Sequence, residues 1–133
     1  MKVLLVLLLL PLTAACSAGT DSLATDDGPR DVLAVELDRG DGTPAERWTL
    51  ECEEPASSTH PDAEAACAAL DVLDDPFAPL PDDMACTEIY GGPQKALVAG
   101  AWRGSKVDLQ VHRRNGCEIG QWDSLVPLLP APS

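Results

Sequence analysis

Five cysteines, at positions 16, 52, 67, 86 and 117, constrain this chain of 133 residues more than any other feature. Their setting explains why. Lys2 followed by an uninterrupted apolar stretch over residues 3–10, then Pro11 and the small residues Thr13, Ala14 and Ala15, reads as an export signal over residues 1–15. Export would carry the chain into an oxidising compartment, where a small domain commonly needs disulfide staples. Five is odd, and Cys16, directly after the leader, is the cysteine left over once pairs are made. The other four allow three connectivities, which spacing does not choose between. Zinc ligation fits worse: only His60 and His112 are available, no C-x-x-C occurs, and the gaps match neither a finger nor a ribbon.

Leu12-Thr13-Ala14-Ala15-Cys16 resembles the lipobox of bacterial lipoproteins, at which the signal is cut and the new N-terminal cysteine acylated, with Thr13 where Leu is usual. On that reading Cys16 carries a lipid that holds the protein on the outer face of the cell membrane. The competing reading is an ordinary signal cut after Ala15 or Ala18, giving a secreted protein. The apolar stretch is too short to span a bilayer, so a lipid on Cys16 is the expected membrane link.

The formal charge of the chain is −13. Removing residues 1–15 takes away Lys2 and no acid, leaving 8 basic against 22 acidic side chains, a charge of −14. Nucleic acid is thereby excluded as a natural partner. With 12 prolines and 4% aromatic residues, the chain has limited means of building a core without covalent help.

Residues 16–30 are small, polar and aperiodic, a spacer between anchor and domain. The domain is expected over residues 31–126, followed by a loose proline-rich tail over 127–133. Leu33, Val35 and Leu37 alternate, as do Trp48, Leu50 and Cys52, predicting two half-buried strands. Thr59 and Asp62 suggest a capping box. Pro61 suits a first turn, and Ala63, Ala66, Cys67, Leu70 and Leu73 recur at helical steps, predicting a helix over 60–73 that packs on the sheet. Pro76, Pro79 and Pro81 forbid regular structure in the acidic segment that leads to Cys86-Thr87-Glu88-Ile89-Tyr90. Residues 97–102 and the alternating Val107, Leu109 and Val111 form a hairpin around Arg103-Gly104-Ser105, and Asn115-Gly116 is a turn signal before Cys117. The class is α+β: an antiparallel sheet with one main helix on one face.

Thr59-His60-Pro61-Asp62-Ala63, Ala65-Ala66-Cys67-Ala68-Ala69-Leu70, Gly100-Ala101-Trp102-Arg103-Gly104 and Asn115-Gly116-Cys117-Glu118 resemble, in this order, the Streptomyces subtilisin-inhibitor family. The resemblance implies disulfides Cys52 to Cys67 and Cys86 to Cys117. It also implies a substrate-like inhibitor of extracellular serine proteases, with a reactive site just after the third cysteine. The scissile bond would be Glu88-Ile89, Met84, Ala85, Cys86, Thr87 and Tyr90 would contact the protease, and Asn115 would support the loop. No cofactor is implied, and in the family the sheet mediates a homodimer. Glu88 departs from the usual Met or Lys before the scissile bond, and an acid in an apolar pocket loses hydration without a partner. The expected target is therefore a Glu-specific serine protease of the chymotrypsin type more than an ordinary subtilisin. The tail after Cys117, with Trp122, departs from the family's ending.

The blander readings are a solvated acid for Glu88, a simple turn former for Asn115, a helix start for His60 and core positions for Trp48 and Trp102. No Ser, His and Asp arrangement, phosphate loop or carboxylate pair has a spacing that demands chemistry, so an enzyme is not expected. The rival function is a non-inhibitory surface lipoprotein that keeps the fold for binding.

Overall fold

The computed structural model describes residues 31–132, so the segments expected to be an export signal and a spacer, together with Cys16 and the terminal Ser133, lie outside the described residues. Strand β1 (Val32–Asp38) lies at the heart of a four-stranded antiparallel sheet. It pairs with β2 (Glu46–Glu51) on one side and β3 (Lys95–Trp102) on the other, and β3 pairs in turn with β4 (Ser105–Val111). The order is β2-β1-β3-β4. Period-two alternation explains which face is covered. Leu33, Val35 and Leu37, Trp48 and Leu50, Ala96, Val98 and Trp102, and Val107, Leu109 and Val111 all point to one side and are buried.

Two helices of nine residues close that face: α1 (Ala63–Asp71) and α2 (Gly116–Ser124). The first occupies the interior of the predicted range. Its expected capping box does not form, because the Thr59 hydroxyl instead accepts from the amide of Thr49 at 2.8 Å. The N-cap Asp62 makes no side-chain cap bond, and His60 instead fixes the chain just ahead of the helix. Its Nδ1 accepts from the amide of Asp62 at 3.0 Å, while Nε2, 3.0 Å from the carbonyl of Leu128, donates to it. At the other end of α1, Arg103 donates to the carbonyls of Asp71 and Leu73, so a cation from the β3-β4 hairpin serves carbonyls that α1 leaves unpaired. Arg103 and Gly104, both at positive φ, make that hairpin a two-residue turn that matches the strand twist.

The second helix is additional to the expected architecture. Asn115 is its N-cap, accepting from the amide of Glu118 at 3.0 Å, and the Glu118 carboxylate reaches back to the amide of Arg114 at 2.7 Å and pairs with that residue's guanidinium. This reciprocal arrangement satisfies one orphan amide in the first turn of α2 and the amide just ahead of its cap. Beyond α2 the chain is not loose as expected: Leu125, Leu128 and Leu129 are buried, and the Trp122 indole donates to the carbonyl of Pro130 at 2.9 Å. Prolines stop regular elements, but they do not stop leucines spaced one turn apart from filling the end of a core; the amide of Leu129 bonds the carbonyl of Leu125.

Two tests follow from this packing. Leu129→Ala is expected to cost about 2 to 5 kcal/mol in a denaturant titration, as for other fully buried leucines, and a cost under about 0.5 kcal/mol would return the tail to a loose state. The hydrogen bonds from Arg114 hold the Glu118 carboxyl below its ordinary value of 4.5. A carboxyl depressed on folding stabilises above its unfolded pKa, and that share disappears as the pH falls through the folded value. Glu118→Gln should therefore cost about 1 kcal/mol at about pH 7 and flatten the loss of stability between about pH 5 and pH 3, read from unfolding midpoints.

Candidate functional site

Between the acidic, proline-rich segment and β3, residues 84–90 run without helix or strand, and every one of them is exposed. Met84, Ile89 and Tyr90 are apolar or aromatic side chains left in water, at 46%, 61% and 65% exposure. A chain rich in proline and lacking a sheet partner there has no internal reason to settle into one shape. Its shape comes from what holds it at either side.

On the first side, Cys86 is bridged to Cys117 in the first turn of α2, with Cα atoms 5.4 Å apart, and the carbonyl of Thr87 accepts from the amide of Gly116 at 2.9 Å. Gly116 is needed for that approach, because a Cβ there would lie on the Thr87 hydroxyl. On the second side, the amide of Gly91 donates to the carbonyl of Arg113 at 2.7 Å, and the carbonyl of Gly91 accepts from Arg113 Nε at 3.2 Å. A side chain at Gly91 would meet Ile119 of α2. Glu88, Ile89 and Tyr90 lie between these fastenings, and no hydrogen bond to them is made among the described residues. They present a short, unpaired stretch without helix or strand to solvent.

The other bridge, Cys52 to Cys67, ties the end of β2 to α1 with Cα atoms 5.5 Å apart. Both pairings are those the family resemblance implied, and on the loop-entropy view each contributes about 3 to 4 kcal/mol. Among the described residues no three His, Cys, Asp or Glu side chains come together to hold a metal ion.

Asn115 does not brace the loop with its side chain. It caps α2, and the support it gives is indirect, since the cap sets the helix whose first residues, Gly116 and Cys117, hold the loop. Trp48 and Trp102 are core residues, 9% and 8% exposed. Sequence reasoning missed Arg113, Gly91 and Gly116 as parts of the site. For Arg113 a signal was available: Val107, Leu109 and Val111 face inward, and the same parity carried past the strand puts residue 113 inside, where it is 5% exposed.

Residues 32–115 match the family model described as subtilisin inhibitor-like. A probable subtilase-type protease inhibitor of Streptomyces avermitilis is 36% identical over 135 residues, covering 91% of this chain and 92% of that one. The subtilisin inhibitor of Streptomyces albogriseolus is 31% identical over 127 residues, covering 87% and 88%. Subtilisin inhibitor-like protein 4 of Streptomyces lavendulae is 38% identical over 78 residues, 57% of this chain but only 66% of that relative. Among solved structures, Streptomyces caespitosus sermetstatin, in complex with Bacillus licheniformis subtilisin, is similar at 26% identity and a TM-score of 0.40 over 72% of this chain and 94% of that one. Since the family model spans all four strands of the sheet, α1 and the loop, and two near-full-length relatives agree with it, the chain belongs to the subtilisin inhibitor-like family, whose members are protease inhibitors and not enzymes.

Proposed function

We propose that the chain is exported and inhibits extracellular serine proteases by offering Glu88-Ile89 as a substrate-like bond. The observation that carries this reading is the exposed stretch Glu88 to Tyr90 fastened on both sides, by the Cys86–Cys117 bridge and the Thr87 carbonyl before it and by the Gly91 pair after it. A serine protease binds an extended segment, attacks the carbonyl ahead of the scissile nitrogen and stabilises the resulting oxyanion. A segment already fastened on both sides loses little freedom on docking, which favours tight binding. The same fastenings keep both halves in place once the bond is cut, so religation competes with hydrolysis.

In this arrangement Glu88 enters the primary pocket, Ile89 and Tyr90 lie on the leaving-group side, and the backbone around Cys86 and Thr87 pairs with the enzyme as an added strand, with Met84 and Ala85 extending the contact. A carboxylate is poorly served by an apolar pocket and repelled by a trypsin-like one that carries its own acid, which points to an enzyme that cleaves after Glu. Cys16, when acylated, would keep the inhibitor at the outer face of the membrane, with residues 17–30 as its tether. The outward face of the sheet carries Ala34, Leu97 and Ala99 beside Thr49, an apolar strip that a second copy could cover.

The test is a panel of subtilisin, trypsin, chymotrypsin and a Glu-specific endopeptidase, titrated with the purified protein with both disulfides formed. Tight inhibition of the Glu-specific enzyme and weak inhibition of the others is expected. Glu88→Met is expected to improve inhibition of subtilisin, and Glu88→Lys that of trypsin, each by about a hundredfold or more. A folded protein that inhibits none of the four, with neither substitution restoring activity, would favour the non-inhibitory binding module.

A further inference from the structure

Arg113 touches Gly91 twice, through its main chain and through its side chain. Its carbonyl accepts from the Gly91 amide at 2.7 Å, and its Nε donates to the Gly91 carbonyl at 3.2 Å. The side chain is 6% exposed, a setting in which a guanidinium must be paired. Its Nη1 donates to Asp123 Oδ1 at 3.2 Å, and its Cζ lies 5.6 Å from the centre of the Trp122 ring. Asp123 and Trp122 both belong to α2, whose first turn carries Cys117. One helix therefore holds the loop on both sides: by a covalent bond through Cys117 before Glu88, and through Arg113 after Ile89.

The two sides are not equivalent. When the protease cuts, its serine oxygen bonds the Glu88 carbonyl carbon and the Ile89 nitrogen leaves with a proton supplied by the enzyme's histidine. The acyl half stays fixed by the Cys86–Cys117 bridge. The amine half begins at Ile89, with only Tyr90 between it and Gly91. Resynthesis requires that amine to return its proton to the histidine and attack the ester before water does, expelling the serine oxygen. Water taking its place gives the Glu88 carboxylate and a free ammonium at Ile89.

We propose that Arg113 is the positioning residue that retains the Ile89 amine after cleavage, so that its clasp on Gly91 sets how slowly the inhibitor is hydrolysed. The inference rests on the reading of Glu88-Ile89 as the reactive bond. It assigns to a buried arginine outside the loop a role distinct from that of Glu88, which selects the enzyme.

The experiment compares the unaltered protein with Arg113→Met, which keeps the aliphatic stem, and Arg113→Lys, which keeps a charge but cannot fork between Gly91 and Asp123. Leu70→Ala, in the core beneath α1, serves as a destabilised control. Inhibition of a Glu-specific endopeptidase, the rate of cleavage at Glu88-Ile89 and hydrogen exchange of the Gly91 amide are measured for each. Arg113→Met is expected to raise the cleavage rate and weaken inhibition by about ten- to a hundredfold, with faster Gly91 exchange, while Leu70→Ala lowers the melting temperature and leaves the cleavage rate unchanged. Arg113→Lys should fall between, and it decides the matter if the Met variant does not fold. Arg113 variants that inhibit and are cleaved like the unaltered protein would overturn the inference alone. An unaltered protein that neither inhibits nor is cut at Glu88-Ile89 would instead remove the reactive-site reading, and this inference with it.

Discussion

The bridge from Cys86 to Cys117 does for the exposed loop what a ladder of hydrogen bonds does for a strand. Without it, a stretch preceded by three prolines in close succession and exposed throughout would have no cause to hold one conformation. It fixes the loop to the first turn of α2, and the amide of Gly116, one residue before Cys117, then meets the carbonyl of Thr87. The covalent bond sets the distance; the hydrogen bond and the missing side chain at Gly116 set the orientation.

That arrangement depends in turn on α2 being rigid, which a helix of nine residues is not when isolated. Its rigidity comes from both ends and from one face. Asn115 and Glu118 satisfy amides at its start, Trp122 is buried in the core, and Leu125, Leu128 and Leu129 continue the packing past its end. Trp122 also joins three parts of the molecule. Its ring lies beneath the Arg113 guanidinium, its N–H bonds the carbonyl of Pro130, and its bulk fills the space beside the sheet. The His60 contact with Leu128 ties the start of α1 to the same tail. The C-terminal segment is thus part of the support for the loop.

The sheet was legible in the sequence because its signal is local: β1, β2 and β4 alternate, β3 is a short apolar run before a turn, and a one-residue slip would expose the buried side chains. The first helix was legible for a similar reason, in the recurrence of Ala66 and Leu70 with Cys67 between them, although its cap was not. Thr59 had two amides it could serve, and only the neighbouring strand decides which. The second helix was hidden because Gly116 and Gly120 weaken its pattern, and the family resemblance faded at the same point. The loop's position followed from its cysteine and from the resemblance. Its fastening after Ile89 did not, since Arg113 and Gly91 lie 22 residues apart, with β3 and β4 between them.

The account stands on the claim that both sides of the Glu88-Ile89 bond stay in place when it is cut. The most direct test is to approach the cleavage equilibrium from both directions. Intact protein, and protein already cut at Glu88-Ile89 with its disulfides retained, are each incubated with a catalytic amount of a Glu-specific serine protease, and the ratio of intact to cut chains is followed by mass spectrometry. The account predicts that the cut protein is resealed and that both reactions converge on the same ratio, with a substantial intact fraction. Complete and irreversible digestion of the intact protein, with no resealing of the cut form, would contradict it.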